Sequence, residues 1–329
     1  MPDRGISMKK IGVLTSGGDA PGMNAAIRAV VRGGLHNNLE VYGIHRGYEG
    51  LLNKEFVKLS ARSVSDTMQR GGTWLRTARS ERFKHSEGVL EGERILQNYG
   101  IEGLVVIGGD GSLRGGMAMS KNGINVIGLP ATIDNDLPYT DYSIGFDTSV
   151  NTVLSAIGNI RDTSSSHERC TIIEVMGRNC GDIALHTGLT GGAESILIPE
   201  IPTDIDQVCR SLIQGRSRGK LHSVVLKAEG VDLCNHKLAE IIEEKTGMEA
   251  KVVVLGYIQR GGSPTARDRM LATRMGYKAV ELLLEETGSK AIGIRGENII
   301  SHDLEKALNL NREEVYDRSL MKLADIMSK

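Results

Sequence analysis

The stretch Leu104-Val105-Val106-Ile107-Gly108-Gly109-Asp110-Gly111-Ser112 decides the fold. Its four leading apolar residues predict a short buried strand. Two glycines end that strand, and the spacing of the residues from Leu113 to Lys121 predicts a helix, with Ser112 as its N-cap or as a phosphate donor. A strand, a glycine turn and a helix in this order direct backbone N–H groups and the positive end of the helix dipole towards an anion.

The same order occurs at the start of the chain. A strand is predicted at Lys10–Thr15, the turn Ser16-Gly17-Gly18 follows it, and helical spacing begins at Met23. Because two such loops occur, an ordinary strand-to-helix turn is the less favoured interpretation of either one. Neither loop is a Walker A motif, since no Gly-Lys-Ser/Thr follows, and neither matches the G-x-G-x-x-G pattern of dinucleotide-binding proteins.

The alternation of strand and helix continues along the chain. Further strands are predicted at Glu40–Ile44, Ile124–Leu129, Thr171–Met176, Ser195–Ile198, His222–Lys227 and Lys251–Tyr257. Further helices are predicted at Glu87–Tyr99, Thr148–Arg161, Gly181–Thr187, Ile205–Gln214 and Arg269–Glu285. This rhythm is typical of βαβ units, so the sequence predicts an α/β protein with parallel sheets.

The composition excludes several classes of function. A chain of 329 residues with 40% hydrophobic and 25% charged residues predicts two domains, or one large one, with a sizeable core. A net charge of -1 and 4% aromatic residues argue against nucleic-acid binding. No apolar run approaches membrane-spanning length, and the first residues lack the apolar segment of a signal peptide. Four cysteines without a C-x-x-C pair indicate reduced thiols, so we expect a cytoplasmic protein.

A second loop carries acidic side chains, Thr132-Ile133-Asp134-Asn135-Asp136, just after a strand that Pro130 is expected to end. Two carboxylates at the carboxyl end of a strand suit a general base and a metal or hydrogen-bond partner. Taken alone, the loop is more simply a turn, since Asp, Asn and Pro are turn formers. In the glycine loop, Asp110 has the wrong charge to touch a phosphate, and Mg²⁺ between the two groups would explain it.

Five arginines lie near glycine turns or strand ends: Arg79, Arg161, Arg169, Arg178 and Arg260. The planar guanidinium matches the geometry of phosphate and carboxylate groups. Each arginine alone is most often a surface residue, but their shared placement favours phosphate binding. Glu229 follows a predicted strand and suits sugar hydroxyls, although a solvated glutamate is an equally good interpretation. No catalytic triad or H-E-x-x-H zinc motif is present.

Five motifs in order make the chain resemble the bacterial ATP-dependent 6-phosphofructokinases: Ser16–Asn24, Gly108–Ser112, Thr132–Asp136, Val175–Arg178 and Gln259–Pro264. The resemblance runs from about Met8 to the helix before Gly288 and is looser beyond it. It implies an α/β fold of two Rossmann-like three-layer αβα domains with largely parallel sheets. The ATP-binding domain would comprise 8–146 and 259–309, and the sugar-phosphate-binding domain 147–258 and 310–329.

The resemblance also implies a reaction, the committed step of glycolysis. The γ-phosphoryl group of ATP passes to the C1 hydroxyl of fructose 6-phosphate, with Mg²⁺, in what is usually a homotetramer. By this resemblance Asp134 is the general base, Thr132 and Asp136 orient the sugar and metal, Asp110 holds Mg²⁺, and Arg178 neutralises charge on the transferred group. ATP contacts are implied for Gly18, Arg79, Ser80, Phe83, Gly109, Asp110, Gly111, Ser112 and Gly115. Sugar-phosphate contacts are implied for Arg169 (from a neighbouring subunit), Met176, Gly177, Glu229, Lys251, Tyr257 and Arg260.

Two positions indicate the phosphoryl donor, and three depart from the family pattern. Pyrophosphate-using relatives carry an aspartate at the position of Gly111 and a lysine at that of Ala131, so this chain favours ATP. Lys251 stands where an arginine is common, and Tyr257 where a histidine is common, which puts the affinity for fructose 6-phosphate in question. Arg76 is a further unusual residue before Thr77-Ala78-Arg79.

The family's effector site, which takes ADP or phosphoenolpyruvate between subunits, is partly present. Matching residues are Arg28, Arg32, Asp66, Arg161, Glu194, Arg218 and Lys220. Ala61 stands at an arginine position with Arg62 beside it, and Leu221 replaces a common lysine. We therefore expect allosteric control, with a weakened effector site as an alternative.

Three other functions compete with an active 6-phosphofructokinase. A regulatory subunit with a weakened sugar site would account for Lys251 and Tyr257. A kinase acting on another sugar phosphate, such as tagatose 6-phosphate, would share the ATP loops. A dinucleotide-dependent dehydrogenase is remote, because no G-x-G-x-x-G with a downstream ribose-binding acid occurs.

Overall fold

The computed structural model describes residues 8–311 and 319–327. Within this part the chain forms two compact units: the first comprises 8–133, 137–147 and 260–311, and the second comprises 134–136, 148–259 and 319–327. The observed changes of unit thus fall one residue from the predicted 146/147 and 258/259 boundaries. The short segment 134–136 is an exception: the prediction placed it in the ATP-binding domain, but its contacts group it with the second unit. The predicted range 310–329 includes 312–318 and 328–329, which lie outside the described residues.

The described elements alternate much as the sequence indicates. The strands are β1 (Lys10–Thr15), β2 (Glu40–Ile44), β3 (Phe56–Leu59), β4 (Gly103–Gly108), β5 (Asn125–Pro130), β6 (Cys170–Val175), β7 (Ser195–Leu197), β8 (Ser223–Ala228), β9 (Ala250–Val254), β10 (Lys290–Arg295) and β11 (Asn298–Asp303). The helices are α1 (Met23–His36), α2 (Gly47–Leu52), α3 (Ser86–Asn98), α4 (Asp110–Ser120), α5 (Phe146–Ser166), α6 (Asp182–Gly191), α7 (Ile205–Ser217), α8 (Asn235–Thr246), α9 (Ala266–Leu284), α10 (Leu304–Leu308) and α11 (Ser319–Met327). Two 3₁₀ helices span Arg82–Lys84 and Gly256–Arg260.

The first unit is built on a seven-stranded sheet in the order β11-β10-β5-β4-β1-β2-β3. Its five central strands are parallel, and β3 and β11 are antiparallel edge strands. The chain leaves β1 towards β2 but leaves β4 towards β5, so right-handed crossovers put α1 and α4 on opposite faces. Helices α1 and α9 pack on one face, and α2, α3, α4 and α10 enclose a hydrophobic cluster on the other.

The second unit is built on a four-stranded sheet in the order β7-β8-β6-β9, in which every pairing is parallel. Helix α6 packs on β7 and β8, while α8 packs on β6 and β9 with α7 beside it. The crossover from β6 to β7 runs opposite to those that follow it, which places α6 on one face and α7 and α8 on the other. Both units therefore have the three-layer αβα architecture that the resemblance implies.

The strand bounds predicted from apolar runs match β1 and β2 to the residue. At β9 the predicted end of the strand is wrong. The predicted strand Lys251–Tyr257 ends at Val254, since Gly256 adopts a left-handed φ of 53° and opens a 3₁₀ helix. Pro130 is the last residue of β5, as expected. Several elements carry no strong pattern and were not predicted: β3, α2, α8, the β10–β11 hairpin and α10. None of the described helices is long and apolar enough to cross a membrane.

Candidate active site

The two glycine loops of the first unit meet at one edge of its sheet. Because β1 and β4 are neighbours, with Thr15 opposite Ile107, their carboxyl ends lie side by side. They form the topological switch point of this sheet, since the chain leaves the two strands in opposite directions. Parallel sheets place ligands in the crevice at such a point. Thr132 lies next to it, two residues after the end of β5.

Close packing between the loops explains their glycines. A Cβ on Gly108 would lie 2.5 Å from the carbonyl oxygen of Ser16, and one on Gly17, whose φ is 83°, would lie 2.9 Å from Oγ of Ser112. The backbone N–H of Ser16 donates to the carbonyl of Ile107 at 3.0 Å. These contacts hold the two loops together with their backbones exposed to a ligand.

Gly111 and Gly109 are glycines for a different reason. Beyond its chain neighbours and the adjacent backbone of α4, no atom of the described residues lies within 4 Å of the place a Cβ on Gly111 would occupy, and a Cβ on Gly109 would make only an ordinary 3.6 Å contact with Thr132. The N-cap of α4 is Gly109 itself, so the predicted capping role of Ser112 is wrong. Helix α4 begins three residues earlier than predicted, and its first turn contains Asp110, Gly111 and Ser112. The first turn of α4, which begins at the edge of the crevice, therefore has free space beside Gly111.

Asp110 fits the role of a magnesium ligand. Its carboxylate is 43% exposed, and one oxygen accepts a 2.8 Å hydrogen bond from Nε of Arg114, one turn along α4. A carboxylate has further lone pairs, and Mg²⁺ commonly binds one or two protein carboxylates together with substrate phosphates. In the described residues, Asp110 belongs to no cluster with metal-ligand spacing; the one such cluster is Cys180, Asp182 and Glu200 in the second unit. The donor set thus suits a metal carried in with a phosphate.

Tyr48 supports the glycine loop from beneath and was not predicted. Its hydroxyl donates to the carbonyl of Ser112 at 2.6 Å, and its ring stacks on Phe83 with centroids 4.0 Å apart. A Cβ on Gly115 would lie 2.8 Å from the Tyr48 ring, so this glycine makes room for the tyrosine. Phe83 is 6% exposed and belongs to the same core. Burial raises the pKa of the Tyr48 phenol well above its usual range.

The segment Arg76–Ser80 lies beside the end of β1. Arg76 has a φ of 63°, which is uncommon for a residue with a side chain, and its carbonyl accepts a 3.0 Å hydrogen bond from Thr15. Arg79 is exposed, while Oγ of Ser80 accepts a bond from the backbone N–H of Phe83 at 3.3 Å. Arg260 also belongs to the first unit, and its guanidinium carbon lies 3.5 Å from the Cβ position of Gly18. One cation, Arg260, thus lies directly beside the first glycine loop.

The acidic loop is held at its middle residue. Asn135 is buried and has a left-handed φ of 53°, and its side chain donates to Asp182 at 3.0 Å. Both residues of this bond belong to the second unit. The carboxylates of Asp134 and Asp136 on either side are half-buried. Just before them, the carbonyl of Thr132 accepts a 2.6 Å bond from Oγ of Ser143.

The loops after β6 and β8 carry four of the predicted sugar-binding residues. Met176, Gly177 and the exposed Arg178 follow β6, and the exposed Glu229 follows its neighbour β8. The backbone N–H of Glu229 donates to the carbonyl of Val175 at 2.8 Å. A Cβ on Gly230 would lie 1.9 Å from the carbonyl oxygen of Arg178, so glycine is required there.

Gln259 is a second functional residue that sequence reasoning missed. It is fully buried, its Oε1 accepts from the backbone N–H of Met176 at 3.0 Å, and its Nε2 donates to the carbonyl of Gly256 at 3.0 Å. It therefore links the loop after β6 to the 3₁₀ helix after β9. The signal that could have identified Gln259 is the motif Gln259–Pro264, in which the resemblance implies a sugar contact only for Arg260.

Two predicted sugar-phosphate residues lie at the opposite edge of the same sheet. Arg169 precedes β6 and Lys251 is near the start of β9, whereas Met176 follows the other end of β6. Five residue steps of a strand separate these edges by about 17 Å. Both cations face Glu249, whose carboxylate lies 3.6 Å from Arg169 and 2.7 Å from Lys251. The hydrogen bond from Lys251 is the main reason that the pKa of Glu249 is lowered.

Tyr257, another predicted sugar-phosphate residue that departs from the family pattern, lies in the 3₁₀ helix after β9, and its side chain is 80% exposed.

The predicted effector residues form two groups. In the first unit, Arg28 and Arg32 lie one turn apart on α1, and partial burial together with the charge of Arg32 lowers the pKa of Arg28. Asp66 lies elsewhere in this unit, with a φ of 54°. In the second unit, Arg161 donates to the carbonyl of Gly192 at 2.6 Å, and Lys220 pairs with the buried Glu194 at 3.0 Å; Arg218 precedes Lys220 by two residues. Each group has the charge to bind an anionic ligand.

The chain is similar to known phosphofructokinases along nearly its whole length. A family profile described as Phosphofructokinase matches residues 10–283. A protein of Clostridium botulinum named ATP-dependent 6-phosphofructokinase is 58% identical over 322 residues, covering 98% of this chain and 100% of the relative. A protein of the same name from Clostridium tetani is 57% identical over 321 residues, covering 98% of this chain and 100% of the relative. The crystal structure of Pichia pastoris phosphofructokinase in the T-state matches with a TM-score of 0.89 and 35% identity, covering 98% of this chain and 40% of that chain.

Proposed function

Because the chain belongs to the phosphofructokinase family, we propose that it transfers the γ-phosphoryl group of ATP to the C1 hydroxyl of fructose 6-phosphate. The products are fructose 1,6-bisphosphate and ADP, and the reaction is the committed step of glycolysis. The observation that carries this proposal is the pair of interlocked glycine loops at the switch point, with open space at Gly111. An aspartate at that position would place a negative charge in the space that a nucleotide phosphate needs, and a lysine at Ala131 would be buried without room.

ATP is bound by the first unit. The backbone N–H groups of the loops and the first turn of α4 receive the phosphates, helped by the helix dipole. Gly18 and Gly109 let the phosphates approach the backbone, and the exposed Arg79 adds a positive charge. Mg²⁺, when bound, neutralises charge on the phosphate oxygens and leaving group, and Asp110 is the residue that would hold it.

Asp134 removes the proton from the C1 hydroxyl as that oxygen attacks the γ-phosphorus. Its half-buried carboxylate accepts this proton, while Thr132 and Asp136 keep the sugar and metal oriented. The γ-phosphorus–oxygen bond to ADP breaks as the new bond to the sugar oxygen forms. The exposed guanidinium of Arg178 neutralises charge that develops on the phosphoryl oxygens. Met176, Gly177, Glu229 and Arg260 contact the sugar.

The 6-phosphate is bound by residues of two subunits in a homotetramer. What supports this is the separation of about 17 Å between Arg169 and Lys251 at one edge of the second sheet and Met176 at the other. One sugar phosphate cannot reach both edges of the same sheet, so these cations serve a neighbouring active site. Tyr257 instead follows the carboxyl end of β9, at the edge that carries Met176, and its 80% exposed side chain contacts the sugar bound by the same chain.

ADP or phosphoenolpyruvate regulates the enzyme at the two effector groups, which carry Arg28 and Arg32 in one unit and Arg161, Glu194, Arg218 and Lys220 in the other. Paired arginines on one helical face repel each other, and an anion relieves that repulsion. A soluble sugar phosphate as substrate and a nucleotide as donor agree with a cytoplasmic enzyme.

A steady-state assay tests the proposed function. Purified protein with ATP, Mg²⁺ and fructose 6-phosphate should form ADP and fructose 1,6-bisphosphate at ordinary substrate concentrations, and pyrophosphate should not replace ATP. Absence of turnover would favour the regulatory subunit. A higher kcat/KM on tagatose 6-phosphate than on fructose 6-phosphate would favour the other kinase.

A further inference from the structure

One hydrogen bond joins the acidic loop to helix α6 through two residues that have no proposed part in binding or chemistry. Nδ2 of Asn135 donates to Oδ2 of Asp182 at 3.0 Å, across 47 residues of sequence. Asn135 is 8% exposed and stands between Asp134 and Asp136. Its φ of 53° lies in the left-handed region, which Asn tolerates better than most residues because its short polar side chain bonds locally.

The acceptor of this bond is rigidly supported. Asp182 is the first residue of α6, where the helix dipole favours an ionised carboxylate. The backbone N–H of the preceding residue, Gly181, donates to both carboxylate oxygens of Glu200, at 2.8 and 3.1 Å. A Cβ on Gly181 would lie 2.3 Å from Cβ of Ile198, so the chain packs too tightly there to shift. Asp182 thus offers Asn135 a charged acceptor at a fixed place.

We propose that Asp182 and Asn135 are a positioning pair that sets the orientation of Asp134 and Asp136. The inference rests on the proposed role of Asp134 as general base. Asn135 is one peptide from each carboxylate, so the torsion angles that its side-chain bond maintains decide where both carboxylates point. A general base works only within hydrogen-bond reach of its proton, and a displacement of about 1 Å can cost on the order of a hundredfold in rate.

The cluster of Cys180, Asp182 and Glu200 has a competing interpretation as a cation site, since its ligand atoms lie within 4.8 Å of one another. However, both carboxylates already accept hydrogen bonds, Asp182 from Asn135 and Glu200 from the backbone of Gly181. Charge-assisted bonds of this kind account for these half-buried carboxylates without a metal. The cluster therefore serves the acidic loop.

Kinetics of three single variants and one double variant test the pair. Asn135→Gly keeps the left-handed backbone accessible and deletes the amide, Asp182→Ala deletes the acceptor, and Asp182→Asn keeps an oxygen acceptor. Asn135→Gly and Asp182→Ala should each lower kcat roughly ten- to hundredfold, with KM for ATP within about twofold of wild type. The double variant should be no slower than the slower single variant, and Asp182→Asn should recover most of the rate. As a matched control, Asp204→Ala removes another carboxylate at a helix start, where it accepts from Gln207, and should leave kcat unchanged.

Each outcome either supports or contradicts the proposed positioning pair of Asn135 and Asp182. Wild-type kcat in Asn135→Gly and Asp182→Ala, together with an inactive Asp134→Ala, would overturn the pair and leave the general base intact. Full activity of Asp134→Ala would instead overturn the proposed base. Equal losses in Asp182→Ala and Asp182→Asn, or additive losses in the double variant, would contradict the pair as well. If Asp182→Ala does not fold, Asn135→Gly decides alone: a lower kcat at unchanged melting temperature supports the pair, and an unchanged kcat overturns it.

Discussion

Two glycines four residues apart on α4 show how one residue type serves different purposes. A Cβ on Gly115 would lie 2.8 Å from the ring of Tyr48, so this glycine is required by the protein's own packing. A Cβ on Gly111 would meet nothing within 4 Å in the described part of the chain, apart from the adjacent backbone of α4. The space beside Gly111 is therefore not used by the fold and is available to a ligand.

Gly111→Asp should raise the KM for ATP roughly tenfold or more, because a carboxylate would stand in the proposed phosphate space. The variant should fold normally, since the side chain enters open space. Steady-state kinetics and thermal melting measure the two effects. Gly111→Ala is the matched control and should change the KM by less than about twofold, whereas Gly115→Ala should lower the melting temperature. An unchanged KM in Gly111→Asp would place the nucleotide elsewhere.

Asp134→Asn should lower kcat by on the order of a thousandfold or more, because the amide keeps the shape of the side chain but cannot take the proton. The KM for ATP should change little, since the ATP loops belong to the first unit. Asp303→Asn is the control: Asp303 caps α10 by accepting from Lys306, and its loss should leave kcat unaffected. A near-wild-type rate for Asp134→Asn would rule out the general base.

At the scale of elements, α2 and α4 are joined by the buried phenol of Tyr48. Its hydroxyl bonds to the carbonyl of Ser112 in the first turn of α4, and its ring stacks on Phe83 just before α3. The glycine loop thus rests on a core contributed by three helices. A buried hydroxyl left without its partner costs about 1–3 kcal/mol, so the bond should matter for stability.

Tyr48→Phe should lower the free energy of unfolding by about 1 kcal/mol at pH 7 and should change its dependence on alkaline pH. Burial raises the pKa of Tyr48, so above about pH 10 the unfolded chain loses the phenolic proton while the folded chain keeps it. The stability that the buried phenol contributes is fully present below pH 10. Above pH 10 the free energy of unfolding of the wild type falls by up to about 1.4 kcal/mol per pH unit. The variant should lack that part of the slope.

Urea unfolding of both proteins at pH 7, 9.5 and 11 measures the difference. Burial also raises the pKa of the Cys170 thiol, to about 12, and this acts in the same direction. Because both proteins contain Cys170, its effect cancels in their difference. Parallel curves for wild type and variant above pH 10 would contradict the assignment of the alkaline loss to Tyr48.

At the scale of the whole molecule, the second sheet separates two kinds of predicted sugar-phosphate residue. Glu229 and Arg178 follow the carboxyl ends of its strands, while Arg169 and Lys251 lie near the amino ends and share Glu249. The lysine at this position is therefore paired with a residue of its own chain, at 2.7 Å. If Lys251 binds the 6-phosphate as proposed, the phosphate competes with that exposed ion pair.

Glu249→Gln should lower the KM for fructose 6-phosphate roughly 1.5- to 5-fold, since an exposed ion pair is worth about 0.2–1 kcal/mol. The effect should shrink at high salt, which screens the competing charge. Glu240→Gln is the control, because it breaks the exposed pair with Lys237 at 3.2 Å and should leave this KM unchanged. A raised KM in Glu249→Gln would show that Glu249 assists phosphate binding instead of competing with it.

Local patterns were sufficient to predict most of the framework. Runs of apolar residues ended by glycine located β1, β4 and the loops after them, because buried parallel strands are apolar throughout. The same rule extended β9 too far, since Leu255 and Tyr257 continue the apolar run although the chain turns at Gly256. Polar helix α8 and the β10–β11 hairpin lacked such runs and were missed.

The order of the elements, the two glycine loops and the acidic loop can be predicted from the amino-acid sequence, because these depend on residues close together in the chain. Which distant residues meet depends on the tertiary fold. Asn135 bonds to Asp182 across 47 positions, Tyr48 reaches Ser112 across 64, and Gln259 reaches Met176 across 83. Such contacts follow from the crossovers that place one strand beside another, so no local pattern contains them. In the proposed site, these contacts orient the side chains whose presence the sequence already indicates.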